Sequence, residues 1–196
     1  EHADTLKSLR ETLYGWMLET HDPGLIPQPI LEDWGREHGS KYAAMRRPEA
    51  AEAVRRSMAT IEAGERGDRA ALRNRLGDAC PCSRYWAAVW LGQLRDAASR
   101  EALETVCEDP VPTVRVAAHL ALCLLGEHEA HIPELAALLN TPNLIVGLYA
   151  MNAIEQTGLL NEAVRDAAKK ALENPYDGTQ RYGRRLLAKC EEAGVA

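Results

Sequence analysis

The sequence predicts an all-α protein, an α-solenoid of about four short helix-pair repeats behind a helical N-terminal extension. Three observations carry this. Phe is absent and the chain is built largely on Ala and Leu, both strong helix formers. Apolar residues recur three, four and seven apart in most segments between the glycines and prolines. A short motif also returns at a nearly fixed period. Its equivalent positions Arg84, Arg115, Gly147 and Arg181 step by 31, 32 and 34 residues, the range of stacked helix pairs.

Taken in order, residues 1–47 form the extension, 48–67 a connecting helix and hinge, and 68–196 the repeats. Leu6, Leu9, Leu13, Trp16, Met17 and Thr20 fall on one helical stripe. His21-Asp22-Pro23-Gly24 is a turn in which Gly24 supplies the permissive φ. Pro27 and Pro29 keep the next stretch irregular, and Pro29 opens a short helix through Trp34 to His38. Pro48 opens a longer helix, Glu49 to Ala63, that stops at Gly64, with Glu65 to Gly67 as the hinge.

Four copies of the motif follow. They begin at Ser83, Asp109, Thr141 and Asn174, and run to Leu91, Leu122, Ile154 and Leu187. Pro110, Pro142 and Pro175 stand at the openings, where the missing N–H is no loss. Three residues after the Arg column stand Ala87, Ala118, Ala150 and Gly183, small enough for a neighbouring helix to approach closely. Partner helices lie between, at Arg100–Cys107, Ile132–Leu139 and Ala163–Leu172. One such pair cannot bury both of its faces, so pairs must stack. The run Asp109-Pro110 through Val114-Arg115 to Ala118 and Leu122 resembles the short type of HEAT repeat. The resemblance implies that Asp109 and Arg115 brace successive turns. The third copy departs from it at Gly147. Ankyrin is the alternative, since Thr141-Pro142 is similar to its Thr-Pro signature, but the following His is missing.

A second resemblance covers roughly residues 6–50. The string Leu9-Arg10-Glu11-Thr12-Leu13-Tyr14-Gly15-Trp16-Met17-Leu18 is followed by Thr20-His21-Asp22-Pro23-Gly24-Leu25-Ile26-Pro27. It is similar to the tail of bacterial sulfatases, a Leu- and Trp-Met-rich helix before Asp-x-Gly-x-x-Pro, after which some members carry HEAT-like repeats. The resemblance implies a parent that hydrolyses sulfate esters with a formylglycine and a divalent cation, commonly exported to the periplasm or outside. Trp16, Met17 and Trp34 would pack at the junction with its catalytic domain. The first residue, Glu1, is consistent with a piece of something longer. The formylglycine signature needs Cys or Ser, then x-Pro-x-Arg. Cys80-Pro81-Cys82-Ser83-Arg84 misses it by one position.

No catalytic residue, cofactor or metal is therefore expected in this chain. Cys80/Cys82 and His128/His131 have spacings that could hold a metal, but no second Cys pair completes the first, and Glu127, Glu129 and Glu134 around the second make it a solvated polar face. Cys107, Cys123 and Cys190 sit in apolar helical patterns and read as small hydrophobes. A net charge of −6 argues against nucleic acid, and no apolar run reaches the roughly 20 residues of a membrane span. Arg181, Arg184, Arg185 and Lys189 form a basic patch on the last helix, with Arg46, Arg47, Arg55 and Arg56 a second; each is an anion site or a solvated cap.

The stripe Tyr85, Val89, Val116, His119, Leu120, Leu148, Met151 and Asn152 turns away from the partner helices. It is either an apolar contact surface or core. The expected partner is a catalytic domain or another protein; the oligomeric state stays open. The alternatives are a free-standing HEAT scaffold that takes a peptide in its groove, and a HEAT-like phycobilin lyase or DNA glycosylase.

Overall fold

The structure, a computed structural model, describes residues 2–195; Glu1 and Ala196, the limits of the first and last expected regions, lie outside the described residues. Among those described there are twelve α-helices, two short 3-10 turns and no strand. The helices are α1 (Ala3–Thr20), α2 (Gln28–Glu37), α3 (Lys41–Met45), α4 (Pro48–Glu65), α5 (Arg69–Arg75) and α6 (Pro81–Gln93). They continue with α7 (Arg100–Val106), α8 (Pro112–Leu124), α9 (His128–Ala137), α10 (Leu144–Gln156), α11 (Glu162–Ala171) and α12 (Asp177–Glu192).

The all-α solenoid is what the periodicity predicts. Long helices α4, α6, α8, α10 and α12 stand side by side in one row. The shorter α5, α7, α9 and α11 pack beside them, each against its neighbours in the long row. The starts follow from capping chemistry. Prolines open α4, α6 and α8 in their first turns. Asp68, Asn143 and Asn161 accept backbone N–H groups at the starts of α5, α10 and α11.

Glycines set the spacing of the row. A Cβ on Gly64 would stand 2.1 Å from the Trp90 ring, and one on Gly92 2.8 Å from the Ala121 Cα. Gly64 therefore serves α4–α6 packing and does not stop the helix. The left-handed residue is Gly67, at φ 67°. The expected connecting helix, α4, thus packs as the first member of the long row. The turn after α1 also differs from expectation. Its left-handed residue is His21 (φ 58°), whose N-terminal neighbour Thr20 ends the helix. Gly24 is needed because a Cβ there would sit 2.7 Å from Asp22 Oδ1, which accepts the Gly24 N–H.

Charged rungs join successive repeats. Arg84 holds Asp109 with two bonds, Nε to Oδ2 at 2.6 Å and Nη2 to Oδ1 at 3.0 Å, and donates from Nη1 to the Asp78 and Ala79 carbonyls. One repeat earlier, Arg56 pairs with Asp78 at 2.7 Å. The Arg of one repeat thus grips the Asp of the next. Arg115 instead donates to the Asp109 carbonyl at 2.8 Å. The break at Gly147 has a physical reason. A Cβ there would sit 2.5 Å from the Leu139 carbonyl oxygen and 2.9 Å from Asn174 Nδ2. Asn174 passes through this space to donate to that carbonyl. An amide-to-carbonyl bond replaces the ion pair.

Candidate functional site

A groove of about 340 Å³ runs across α6, α8, α10 and α12. Tyr85 and Val89, Leu148 and Asn152, and Tyr149 and Tyr182 line it and are half-buried. Tyr85 stacks edge-on with Trp86 and lies 6.2 Å from Tyr149, ring to ring. Burial pushes the Tyr85 phenol above its ordinary range, with the Tyr149 ring adding to it.

The predicted stripe divides here. Tyr85, Val89, Leu148 and Asn152 face the groove. Val116, Leu120 and Met151 are buried and join the hydrophobic cluster that continues into Ile154 and Val164. His119 is 6% exposed. Of the two alternatives for the stripe, His119 and Met151 fall in the core, while Val116 and Leu120 are buried yet still contribute to the floor of the groove. They lie in the seams between α8 and its neighbours, where a row of parallel helices buries two flanks of each member.

The chain's own N-terminal segment crosses one end of this row as a strap. Leu25 accepts a 2.9 Å bond from Trp86 Nε1 of α6. The Gln28 N–H donates to the Tyr149 hydroxyl of α10 at 3.1 Å. Asn143 Nδ2, buried at the start of α10, donates to the Pro29 carbonyl at 2.8 Å and to Asp33 Oδ1 at 2.9 Å. Ile26, Ile30 and Leu31 bury themselves with Met17, Val54, Met58 and Cys82. A buried amide is held in place because leaving it unpaired costs about 1–3 kcal/mol. Of the residues expected at a junction, Met17 is buried in this cluster and Trp34 is half-buried, while Trp16 is 53% exposed.

That exposure belongs to a pattern. Leu6, Leu9, Leu13 and Trp16 on α1 are 57, 64, 51 and 53% exposed. Their spacing of three, four and three places them on one face. The adjoining flank touches α4 through Tyr14, Met17 and the Arg10–Glu65 ion pair at 2.9 Å.

The basic patch on α12 carries cations that are already paired. Arg181 and Arg184 meet Asp177 at 2.8 and 3.3 Å. Lys189 meets Glu155 at 2.8 Å, and Arg185 pairs with the same carboxylate. Burial alone would raise the Glu155 pKa, but these two cations hold it below the usual range. The helix buries Thr179, Gly183, Leu186 and Cys190 and presents the paired charges outward. In the second patch Arg56 is committed to Asp78 and Glu52, and Arg46 stacks on the Tyr42 ring.

Cys80 caps the start of α6. Its thiol is pulled down to about 6, first by a bond from the Cys82 thiol, against burial, with the Ser83 and Cys82 backbone N–H groups adding. Cys82 is fully buried. Arg84, the Arg of the near-miss signature, is occupied by Asp109 and two carbonyls, which leaves its donors to the stack rather than to a sulfate.

One constellation was not expected. Cys107 at the end of α7, His119 in α8 and His131 in α9 place one sulfur and two imidazole nitrogens within 4.8 Å of one another. Cys107 Sγ lies 3.4 Å from His119 Nδ1, and the two Nδ1 atoms are 3.0 Å apart. Burial pushes His119 down to about 4, aided by His131 and Arg115. Burial, with Glu108, Glu104 and Glu134, pushes Cys107 up to about 12. His131, paired in the sequence with His128, uses Cys107 and His119 instead. The signal was present: the three are evenly spaced, twelve residues apart, and a helix-pair repeat brings such positions to one side.

The geometry is that of a helical-repeat protein built on stacked pairs. Residues 69–155, from the start of α5 almost to the end of α10, match a family model described as HEAT repeats. No curated protein sequence matches the chain. Among the described residues, no helix is long and apolar enough to cross a membrane.

Proposed function

We propose that this chain is a non-catalytic HEAT-type interaction module that docks on protein through α1. The exposed stripe Leu6, Leu9, Leu13 and Trp16 carries this reading. Four large apolar side chains on one face, each more than half exposed, form a contiguous patch of the kind that marks a contact surface. Their spacing suits an apolar face of a partner. The resemblance of Leu9 to Pro27 to a sulfatase tail supplies the occupant: the catalytic domain of a sulfatase-type hydrolase, seated on α1, with the repeats standing off it as a scaffold. The compartment would then be the periplasm or the exterior.

A photo-crosslinking residue at Leu13, with one at Arg165 of α11 as control, tests this in the native host. Crosslinks at Leu13 alone, to a sulfatase-type catalytic domain in the same or another polypeptide, are expected. Crosslinks to an unrelated protein would retain the module and remove the sulfatase. Equal labelling at both positions, or crosslinks to a second copy of this chain, would overturn the docking.

The half-buried aromatic lining favours a second reading, in which the groove takes a peptide. The strap already closes one end of it, so the peptide would be short. Leu148→Asp should weaken such a contact and leave the fold intact; unfolding would count Leu148 as core.

A further inference from the structure

We propose that Cys107, His119 and His131 form a binding site for a zinc-class divalent cation that staples α7, α8 and α9. The class follows from the donors: a thiolate with two imidazoles is the set that borderline-soft zinc takes. The distances fit. Bonds of about 2.0 Å to nitrogen and 2.3 Å to sulfur imply tetrahedral edges of about 3.3 Å between two nitrogens and 3.5 Å between nitrogen and sulfur. The observed 3.0 and 3.4 Å lie within a few tenths of an ångström of these.

Without a cation, three donor atoms meet with too few protons and too few directions. An imidazole Nδ1 has a single in-plane site, and His119 Nδ1 faces both the Cys107 sulfur and His131 Nδ1. A cation at their common centre serves all three lone pairs at once. The surroundings are acidic. Glu104, Glu108 and Glu134 act on Cys107, Glu127 approaches His131, and Arg115 is the opposing cation at His119. Glu127 Oε2 lies 4.0 Å from His131 Nε2, the outward nitrogen once Nδ1 binds metal. At that separation there is no hydrogen bond, but the carboxylate supplies negative charge on the side where a ligating ring would carry its N–H, and binding would draw the two into the carboxylate–histidine arrangement. Arg100 of α7 holds the same carboxylate in place. His131, its side chain 12% exposed, is the least buried of the three and marks the side from which an ion would enter.

Binding balances without an external reagent. The Cys107 thiol releases its proton to solvent as sulfur becomes a ligand, and any imidazole proton on Nδ1 passes to Nε2.

The experiment uses the full chain, stripped with a chelator under reducing conditions and titrated with cobalt(II), then zinc. One ion per chain is expected, with a near-ultraviolet thiolate-to-cobalt band and intense visible bands of tetrahedral cobalt. About one proton should leave per ion near neutral pH, and the thermal midpoint should rise. His131→Gln, at the least buried ligand, and the near-isosteric Cys107→Ser should each abolish the bands while melting like the metal-free parent. If either lowers that melt, Glu127→Gln decides, because it leaves all three ligands in place and should still weaken zinc about tenfold. Absence of the thiolate band, or a band that survives both ligand variants and so arises at Cys80 and Cys82, would overturn the site.

Discussion

Helices α1 and α8 both carry a stripe of large apolar residues but meet very different fates. In α8, every residue from Val116 to Cys123 is buried. In α1, Met17 is the buried residue among those described, and four large apolar side chains face outward. Place in the stack separates them. α8 has α6 on one flank, α10 on the other, and α7 and α9 behind. α1 touches α4 along one edge, and its C-terminal end joins the cluster of Ile26 and Ile30 through Met17. Hydrophobic periodicity states that a face will be covered, and neighbours decide by what.

Four substitutions or conditions can break or sharpen this contrast. The largest effect belongs to Leu122→Ala in α8. It empties a fully buried site and should remove about 2–5 kcal/mol, read from the shift in urea midpoint. Arg84→Ala strands the Asp109 carboxylate between repeats and should cost about 3 kcal/mol by the same measurement. Acid should act next, and on the stack. Burial raises the Asp78 and Asp96 carboxyls, but bonds to Cys80 and Arg56, and to Ser99 and Arg73, outweigh it and leave both below the usual range. A carboxylate lowered on folding stabilises the fold above its unfolded pKa of about 4 and loses that contribution as pH falls through the folded value. The urea midpoint should therefore hold from neutral pH to about 5 and drop below about 4. The smallest change is expected from Leu13→Glu in α1, within about 0.5 kcal/mol, because the side chain is already half in water. A loss as large as that of Leu122→Ala would mean that α1 is held by contacts beyond α4.

The repeat period and the small-residue column were legible because each is a local property of the chain. The prolines were legible in part, since Pro48 opens α4 but Pro110, Pro142 and Pro175 stand one residue ahead of the N-caps Val111, Asn143 and Tyr176. Gly147 was legible as an exception, and its cause was not, since Asn174, which fills the space, belongs to the next repeat. The burial of Val116, His119, Leu120 and Met151, the core alternative for the stripe, has a related reason. A helix in a row buries both flanks, so a stripe one position off the partner face still lies in a seam. The strap was invisible: its bonds run from Leu25, Gln28 and Pro29 to Trp86, Tyr149 and Asn143, and no periodic signal records contacts over such separations. The cysteine–histidine cluster carries no motif within any one helix, because its members come from the end of α7, from α8 and from α9.

The strap changes the mechanics of the whole. In a simple solenoid each unit touches only the next, so bending adds up along the axis and ends can fray independently. Here residues 25–33 fasten α6 to α10 across α8, which closes a loop over an otherwise open spring. Flexing between those two helices must stretch the Trp86, Tyr149 and Asn143 bonds together. The middle of the protein thus behaves as a stiff bracket, and compliance is left to the segment beyond α10.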